Sequence, residues 1–265
     1  MLFIFFKHPA TLPAPMVNKS ITVLAVTNRN YHDHCIAVNR TAGCLPQNVR
    51  AERLIISPEP PPAIPNTPAV PWLRIDPERL NGIQTYMKFL VAGLADIITT
   101  DFALLVHWDG FGVNPHRWRP EFLDYDYIGP PWPRFMSREA PRQARVGNGG
   151  FALRSRRWME AGTKIGYPGT PNEDEFMCNV DTGCRIAPLD LAAAWAIENP
   201  IEEYPKRSVA DCFGFHDFLH RGHRHLRISP ATPRQKFDCW LRGSPNLMRI
   251  RWKLRHVLPG TIKGK

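Results

Sequence analysis

The sequence predicts an α/β domain with a mostly parallel central sheet flanked by helices. Apolar, β-branched runs at 20–30 (SITVLAVTNRN), 53–57 (RLIIS) and 102–111 (FALLVHWDGF) are typical of buried strands. The stretch 81–98 (NGIQTYMKFLVAGLADII) has the apolar spacing of a helix. Strands and helices therefore alternate along the chain, which favours helices packed on a largely parallel sheet.

Two long segments interrupt this alternation. Residues 57–71 contain seven prolines in fifteen positions, so they exclude a helix or a central strand and predict a long loop. Residues 114–145 are rich in Pro, Trp, Tyr and Arg and predict an ordered loop. A helix is expected again near 154–161.

The composition is that of an ordinary globular protein, with 43% hydrophobic and 22% charged residues in 265. No apolar run approaches the roughly 20 residues of a membrane helix. The apolar opening spans only residues 2–6 and its lysine follows it, unlike a signal peptide. We expect a cytoplasmic protein, with peripheral contact at the inner membrane face left open. The six cysteines are scattered, which favours free thiols.

The positive charge is concentrated at the C-terminal end. From Pro205 onward there are 14 Lys and Arg against 3 Asp, whereas the whole chain has a net charge of +10. Such a tail is suited to bind phosphates, anionic membranes or acidic glycans, and a solvated basic terminus is an equal alternative. We divide the chain into an N-terminal tail at 1–19, a domain at 20–228 and a basic, helical tail at 229–265.

Asp109 is the first candidate for a functional site. It lies where the apolar run 102–106 ends, and ligands of open α/β sheets bind beyond the carboxyl ends of the strands. A hard divalent cation that bridges two phosphates needs an oxygen ligand at such a place. The structural alternative is an ordinary turn at Asp109 and Gly110.

The glycine-rich stretch 145–155 (RVGNGGFALRS) is the second candidate, and it has three interpretations. Asn-Gly between apolar residues is a hairpin signal. The pattern GNGGFA also fits the dinucleotide fingerprint, but no buried strand precedes it. Gly147, Asn148, Gly149 and Gly150 would otherwise form a bare backbone surface whose amides bind sugar hydroxyls, with Phe151 beside them.

Acids, histidines and aromatics add further candidates. Glu173, Asp174 and Glu175 are adjacent, which is typical of a helix N-terminus but also raises the pKa of one acid toward the range of a general base. Among the histidines at 216–225, His216 is a candidate cation ligand, while His220, His223 and His225 are expected on a basic surface. One or two of the aromatics between 108 and 132 are expected to stack on a sugar.

Taken together, these motifs resemble a microbial family of unknown function that is described as glycosyltransferase-like. The resemblance rests on HWDGF, EFLDYDYIGPPW, VGNGGFALRSRRWMEA, NEDEFMC, GCRIAP and FGFH, in that order. The chain is more distantly similar to the Fringe and β-1,3-galactosyltransferase group. The resemblance implies a GT-A-like fold, a nucleotide-sugar donor, a saccharide acceptor and a divalent cation, Mn²⁺ or Mg²⁺.

The resemblance also implies roles for individual residues. Asp109 matches the last acid of a D-x-D metal motif, whose first position is His107 here, and His216 matches a late histidine ligand. Asp174, with Glu173 beside it, matches the acidic pair that contains the catalytic base of an inverting enzyme. The donor-binding and sugar-binding residues are then Thr27, Asn28, Arg29, Trp108, Asp109 and Gly110 for the donor, and Gly147, Asn148, Gly149, Gly150, Phe151, Tyr127 and Trp132 for the sugar or acceptor.

Two other classes of function stay open at this point. One is a non-catalytic carbohydrate- or nucleic-acid-binding module that uses the basic tail, although no nucleic acid is expected for the enzyme. The other is a Rossmann-type oxidoreductase that uses the glycine-rich stretch.

Overall fold

A six-stranded sheet forms the centre of the molecule. The computed structural model describes residues 19–134, 145–217, 221–230 and 232–233. In the described residues, the six strands are ordered β3-β2-β1-β4-β7-β6. Their bounds are β1 Ser20–Val26, β2 Arg50–Ser57, β3 Trp72–Arg74, β4 Phe102–Leu105, β6 Tyr127–Ile128 and β7 Ala152–Ser155. The strands β1 to β4 pair in parallel, whereas β7 is antiparallel to both of its neighbours. The predicted α/β class with a mostly parallel central sheet is confirmed.

Five helices accompany the strands in the described residues, and three hydrophobic clusters cover the faces of the central sheet. The helices are α1 Tyr31–Cys44, α2 Ile83–Ala92, α3 Arg156–Ile165, α4 Glu173–Asn179 and α5 Leu189–Trp195. Alternate residues of β1 point to opposite faces, as the pleat of a strand requires. Val23 packs with residues of α1 and α5, and Leu24 packs with residues of α2.

A second, three-stranded sheet lies at the carboxyl end of the central sheet. Its order is β5-β9-β8, with bounds β5 Gly110–Gly112, β8 Ala196–Ile197 and β9 Gly214–His216. Strand β9 pairs antiparallel with β5 and parallel with β8. The run 102–111, predicted as one strand, is therefore two strands separated by a turn. That turn places Asp109 between the two sheets.

The segments outside these elements largely follow the predictions. Residues 58–71 form no helix or strand, as the prolines predict. Residues 114–134 contain short 3₁₀ turns and β6, and 135–144 lie outside the described residues. The predicted N-terminal tail, apart from residue 19, and most of the predicted basic tail also lie outside the described residues. Neither prediction is therefore tested.

Candidate functional site

The site begins at a tight turn that follows β4. The backbone amide of His107 donates to the carbonyl of Gly110 at 2.8 Å, and the amide of Gly110 donates back to His107 at 3.1 Å. This pair of hydrogen bonds closes a two-residue loop made of Trp108 and Asp109. The apolar strand thus ends in a turn that holds the Asp109 carboxylate where strand ends and loops converge.

Strand β9 brings His216 to the same place. His216 pairs with Gly110, and the next amide, of Asp217, donates to the Asp109 carbonyl at 2.7 Å. The Asp109 carboxylate oxygen Oδ1 then lies 4.0 Å from His107 Nδ1 and 4.0 Å from His216 Nε2. One ligand atom from each of these three residues lies within 4.8 Å of the other two.

The chemistry of this His-Asp-His cluster fits a divalent cation. Two imidazoles and one carboxylate suit a transition metal, which accepts nitrogen ligands, better than they suit Mg²⁺, which favours oxygen ligands. The second ring nitrogen of His107, Nε2, lies 2.9 Å from the Tyr86 hydroxyl, which orients the ring. Burial, and next the neighbouring His216, hold the pKa of His107 well below its usual range. His107 is therefore neutral at physiological pH, which is the form that binds a metal.

A pocket of about 450 Å³ opens beside the cluster. It lies between the carboxyl end of β1, the start of α2 and the turn at Trp108. The lining residues are Val26, Thr27, Asn28, Arg29, His34, Leu80, Gly82, Ile83, Tyr86, His107 and Trp108. Four of the predicted donor-binding residues, Thr27, Asn28, Arg29 and Trp108, therefore line one pocket, and predicted Asp109 belongs to the adjacent cluster.

Gly110, also predicted to bind the donor, is buried and serves another purpose. A Cβ at this position would lie 2.6 Å from Cδ2 of His216. Real Cβ atoms essentially never come so close, so the glycine leaves room for the His216 ring. Its predicted contact with the donor is untested.

Protein side chains approach the backbone of the glycine-rich stretch closely. A Cβ at Gly147 would lie 2.6 Å from the Trp132 ring, and one at Gly149 would lie 2.6 Å from Glu173 Oε1. A Cβ at Gly150 would overlap the imidazole of His216. All three glycines are buried and none has a positive φ. The hairpin interpretation is therefore wrong, and the stretch forms a 3₁₀ turn at Gly149–Phe151 instead.

The amides of this stretch are also engaged within the protein. The Gly149 amide donates to Asp174 Oδ2 at 2.7 Å, and the Gly150 amide donates to Asn148 Oδ1 at 3.0 Å. Both amides are therefore already hydrogen-bonded within the protein, and their predicted contact with sugar hydroxyls is untested. The buried Asn148 side chain caps the turn and donates to Glu198.

Two aromatic residues predicted to contact sugar belong to the core. Phe151 is 0% exposed and stacks on Trp195 with ring centroids 4.9 Å apart. Tyr127 is 1% exposed, and its hydroxyl donates to the Gly147 carbonyl at 2.7 Å. Both side chains are therefore engaged within the core, and their predicted contact with sugar is untested. Trp132 is half-buried against Gly147, and its predicted contact with sugar is untested.

Asp174 lies across the glycine-rich stretch from His216. It is in the first turn of α4, and its two carboxylate oxygens accept from the amides of Gly149 and Glu175, each at 2.7 Å. Burial, followed by the nearby Glu173 carboxylate, raises the pKa of Asp174 well above its usual value, and the two backbone hydrogen bonds oppose that shift. A half-buried carboxyl with a raised pKa has the property that a general base requires.

Glu173 has a different environment from that of its neighbour. Its carboxylate forms a 3.0 Å ion pair with Arg154 on β7, and both side chains are buried. Arg154 also donates to the carbonyl of Leu90 at 3.3 Å. Glu173 is thus the counter-ion of a buried arginine, and its predicted catalytic role is untested.

The late histidines are divided between different environments. His223 is 1% exposed and its Nδ1 lies 2.8 Å from the Asp217 carbonyl, so the prediction of an exposed position is wrong. His225 is exposed, as predicted, and His220 lies outside the described residues.

The five described cysteines form no disulfide, as predicted. In the described part of the chain, no helix is both long and apolar enough to cross a membrane.

Sequence reasoning missed two residues of the site, Tyr86 and Glu198. Tyr86 belongs to the apolar spacing that predicted α2, so nothing marked its hydroxyl as functional. Glu198 follows β8, a strand of two residues that the periodicity could not indicate. Only the register of β8 with β9 places Glu198 beside His216.

The strand order confirms the predicted α/β class with a mostly parallel central sheet. The chain belongs to the family described as a protein of unknown function (DUF5672), which matches residues 70–216, more than half of its length. No curated protein matches it.

The chain is also similar to two solved structures of LgtC. One is the galactosyltransferase LgtC in complex with donor and acceptor sugar analogues, at 11% identity and a TM-score of 0.48 over 91% of this chain and 98% of that one. The other is an active-site mutant of LgtC, at 11% identity and a TM-score of 0.46 over the same shares of the two chains.

Proposed function

We propose that the protein is a glycosyltransferase that transfers a sugar from a nucleotide-sugar donor to a saccharide hydroxyl, assisted by a divalent cation. The observation that carries the proposal is the His107–Asp109–His216 cluster beside the pocket at the carboxyl ends of β1 and β4. A ligand with a diphosphate at the cluster and a nucleoside in the pocket uses both features. The exposed guanidinium of Arg29 at the pocket suits a phosphate oxygen.

His107, Asp109 and His216 would hold the cation. When bound, a divalent cation stabilises the negative charge that develops on a diphosphate leaving group. The turn at Trp108 and the pairing of β5 with β9 fix the ligands before a donor arrives, which lowers the cost of organising the site. Because Asp109 is the one carboxylate of the three, its removal is expected to weaken the site most.

Asp174 would accept the proton of the acceptor hydroxyl. Its raised pKa brings it toward the range in which a carboxylate takes a proton efficiently at physiological pH. Its hydrogen bond to Gly149 fixes its position next to Gly150, which contacts His216. A base that deprotonates the acceptor directly implies a single displacement, and therefore inversion at the anomeric carbon.

A screen of nucleoside diphosphates and nucleotide sugars, with and without Mn²⁺, tests the proposal. We expect the melting temperature to rise only when nucleotide and Mn²⁺ are both present, and Asp109→Asn to abolish this rise. Asp101→Asn is a matched control, since Asp101 lies at the opposite end of β4. A rise with nicotinamide cofactors alone would support the oxidoreductase instead, and no response to either class would support a binding module.

The role of Asp174 has a separate test. Asp174→Asn is expected to lower kcat by about 10²–10⁴-fold, the usual contribution of a general base, and to leave the affinity for the nucleoside diphosphate unchanged. The anomeric configuration of the product, read by NMR, tests inversion. A product that keeps the configuration of the donor would refute the single displacement.

A further inference from the structure

We infer that Glu198 is a positioning residue that holds His216 in the tautomer able to bind the cation, and that Asn148 of the glycine-rich stretch fixes Glu198. This inference rests on the proposed function, because it assigns His216 to a cation. It gives residues 147–150 (GNGG) a role in holding the cation-binding His216 in place rather than in contacting the sugar.

The second sheet places Glu198 beside His216. Strand β8 pairs in parallel with β9, with Ile197 opposite Phe215, so the next residues along the two strands are Glu198 and His216. Strand β5 lies on the other side of β9 and presents Gly110 to His216. The His216 ring therefore lies between the Asp109 turn on one side and Glu198 on the other.

The two nitrogens of His216 face different carboxylates. Nε2 lies 4.0 Å from Asp109 Oδ1, within the cluster. Nδ1 lies 3.8 Å from Glu198 Oε1, beyond hydrogen-bonding distance. Nδ1 is buried and has no hydrogen-bond partner within the described part of the chain. A buried ring nitrogen that lacks a partner is costly, and the facing carboxylate favours a proton at Nδ1.

A proton at Nδ1 determines what Nε2 can do. A neutral imidazole carries one proton, so protonation of Nδ1 leaves a lone pair on Nε2, the nitrogen that faces Asp109. Metal-binding histidines are commonly held in this way by a carboxylate on the other ring nitrogen. Tyr86 occupies the corresponding place at His107.

Asn148 fixes the orientation of Glu198. Its side-chain amide donates to Glu198 Oε2, while its carbonyl oxygen accepts from the Gly150 amide. Both ends of Asn148 are thus engaged, and all three side chains in the series Asn148, Glu198 and His216 are largely buried. Gly150 contributes by its lack of a side chain, because a Cβ there would overlap the His216 ring.

Glu198→Gln is the sharpest test, because it is isosteric and keeps the contact with Asn148. The amide donor of Asn148 requires the carbonyl oxygen of the new Gln, which turns the NH₂ group of that Gln toward His216 Nδ1. Nδ1 must then accept, and the proton moves to Nε2, where it blocks the lone pair. We expect Glu198→Gln to weaken Mn²⁺ binding by about 10–100-fold, as loss of such orienting groups does.

Two measurements separate this role from a merely structural one. Isothermal titration with Mn²⁺ alone compares the full-length wild type, Glu198→Gln, Glu198→Asp and the control Glu160→Gln, whose carboxylate lies on the surface of α3. Glu198→Asp keeps the negative charge and is expected to lose less affinity than Glu198→Gln. In metal-free protein labelled with ¹⁵N-histidine, the His216 signals, assigned by their loss in His216→Gln, are expected to move from the Nδ1–H to the Nε2–H pattern in Glu198→Gln.

The outcomes distinguish this inference from the proposed function. If the wild type binds Mn²⁺ and Glu198→Gln binds it equally well, or if the tautomer does not change, the positioning role is refuted and the proposed function stands. If the wild type binds no cation in the presence or absence of nucleotide, the metal-assisted function itself fails. The NMR measurement still reports on the tautomer in that case.

Discussion

Gly150→Ala is expected to remove the cation response while leaving the protein folded. Gly150 has an ordinary backbone conformation, so an alanine there introduces no backbone strain. The new Cβ would overlap the His216 imidazole. The His216 side chain is 16% exposed, so we expect its ring, rather than the backbone, to yield to the new Cβ. We therefore expect the lower part of the range for overpacked sites, about 1–2 kcal/mol of lost stability.

The assay is thermal denaturation with and without nucleoside diphosphate and Mn²⁺. A loss of about 1 kcal/mol shifts the melting temperature of a chain of this size by about 2–4 °C, so Gly150→Ala should melt about 2–8 °C below the wild type. Its ligand-dependent rise in melting temperature should disappear, because His216 no longer faces Asp109.

Gly43→Ala is the matched control, since Gly43 lies in α1 and a Cβ there would have nothing within 4 Å. That change should stabilise the protein by up to about 1 kcal/mol and keep the response. A full response in Gly150→Ala would show that His216 does not need its present position, and the metal site would have to be reconsidered.

Three further predictions concern residues around the site. Tyr127→Phe should cost about 1–3 kcal/mol of stability, because the buried Gly147 carbonyl loses its donor. Urea denaturation measures this loss, and a change in KM for the acceptor without it would support the predicted contact with sugar instead. Glu173→Gln should cost about 3 kcal/mol of stability, because it leaves the buried Arg154 charge without its counter-ion. Denaturation at neutral pH measures this loss, and an unchanged stability would show that solvent reaches the ion pair. Two arginines hold the pKa of Glu203 at about 2 instead of its usual 4.5, so its stabilising effect is present above pH 4.5 and disappears as the pH falls toward 2. The stability of Glu203→Gln should therefore fall less steeply than that of the wild type over this interval, and parallel curves would contradict the ion pair.

The elements that the sequence predicts well are those whose pattern is local. The alternation of strand and helix around β1, α2 and β4 follows from apolar spacing, and the proline-rich loop follows from the chemistry of proline. Asp109 is found at a strand end for the same reason. The two-residue strand β8 and the split of 102–111 depend on pairing with β9, which no local pattern indicates.

The glycine-rich stretch shows the limit of this reasoning. A run of glycines indicates that something approaches the backbone closely, but it does not indicate whether that object is a ligand or another part of the chain. Gly147, Gly149 and Gly150 accommodate Trp132, Glu173 and His216, which come from distant positions. Phe151 and Tyr127 show the same ambiguity, since an aromatic side chain suits a core as well as a carbohydrate.

The resemblance implies that His107 stands at the first acid of a D-x-D motif, and a histidine at this position changes the electrostatics of the site in a definite way. Two carboxylates and a histidine would give the ligand set a charge of −2, whereas His107, Asp109 and His216 give −1 when both histidines are neutral. A bound divalent cation then leaves a net +1 rather than zero, which increases the attraction for a diphosphate. The same change weakens the preference for Mg²⁺, a cation that favours oxygen ligands, and strengthens that for metals which accept imidazole. The incomplete acidic motif is thus compatible with metal-assisted transfer, provided that each imidazole is held neutral with the correct nitrogen free. Tyr86 faces the second nitrogen of His107, and Glu198 faces that of His216.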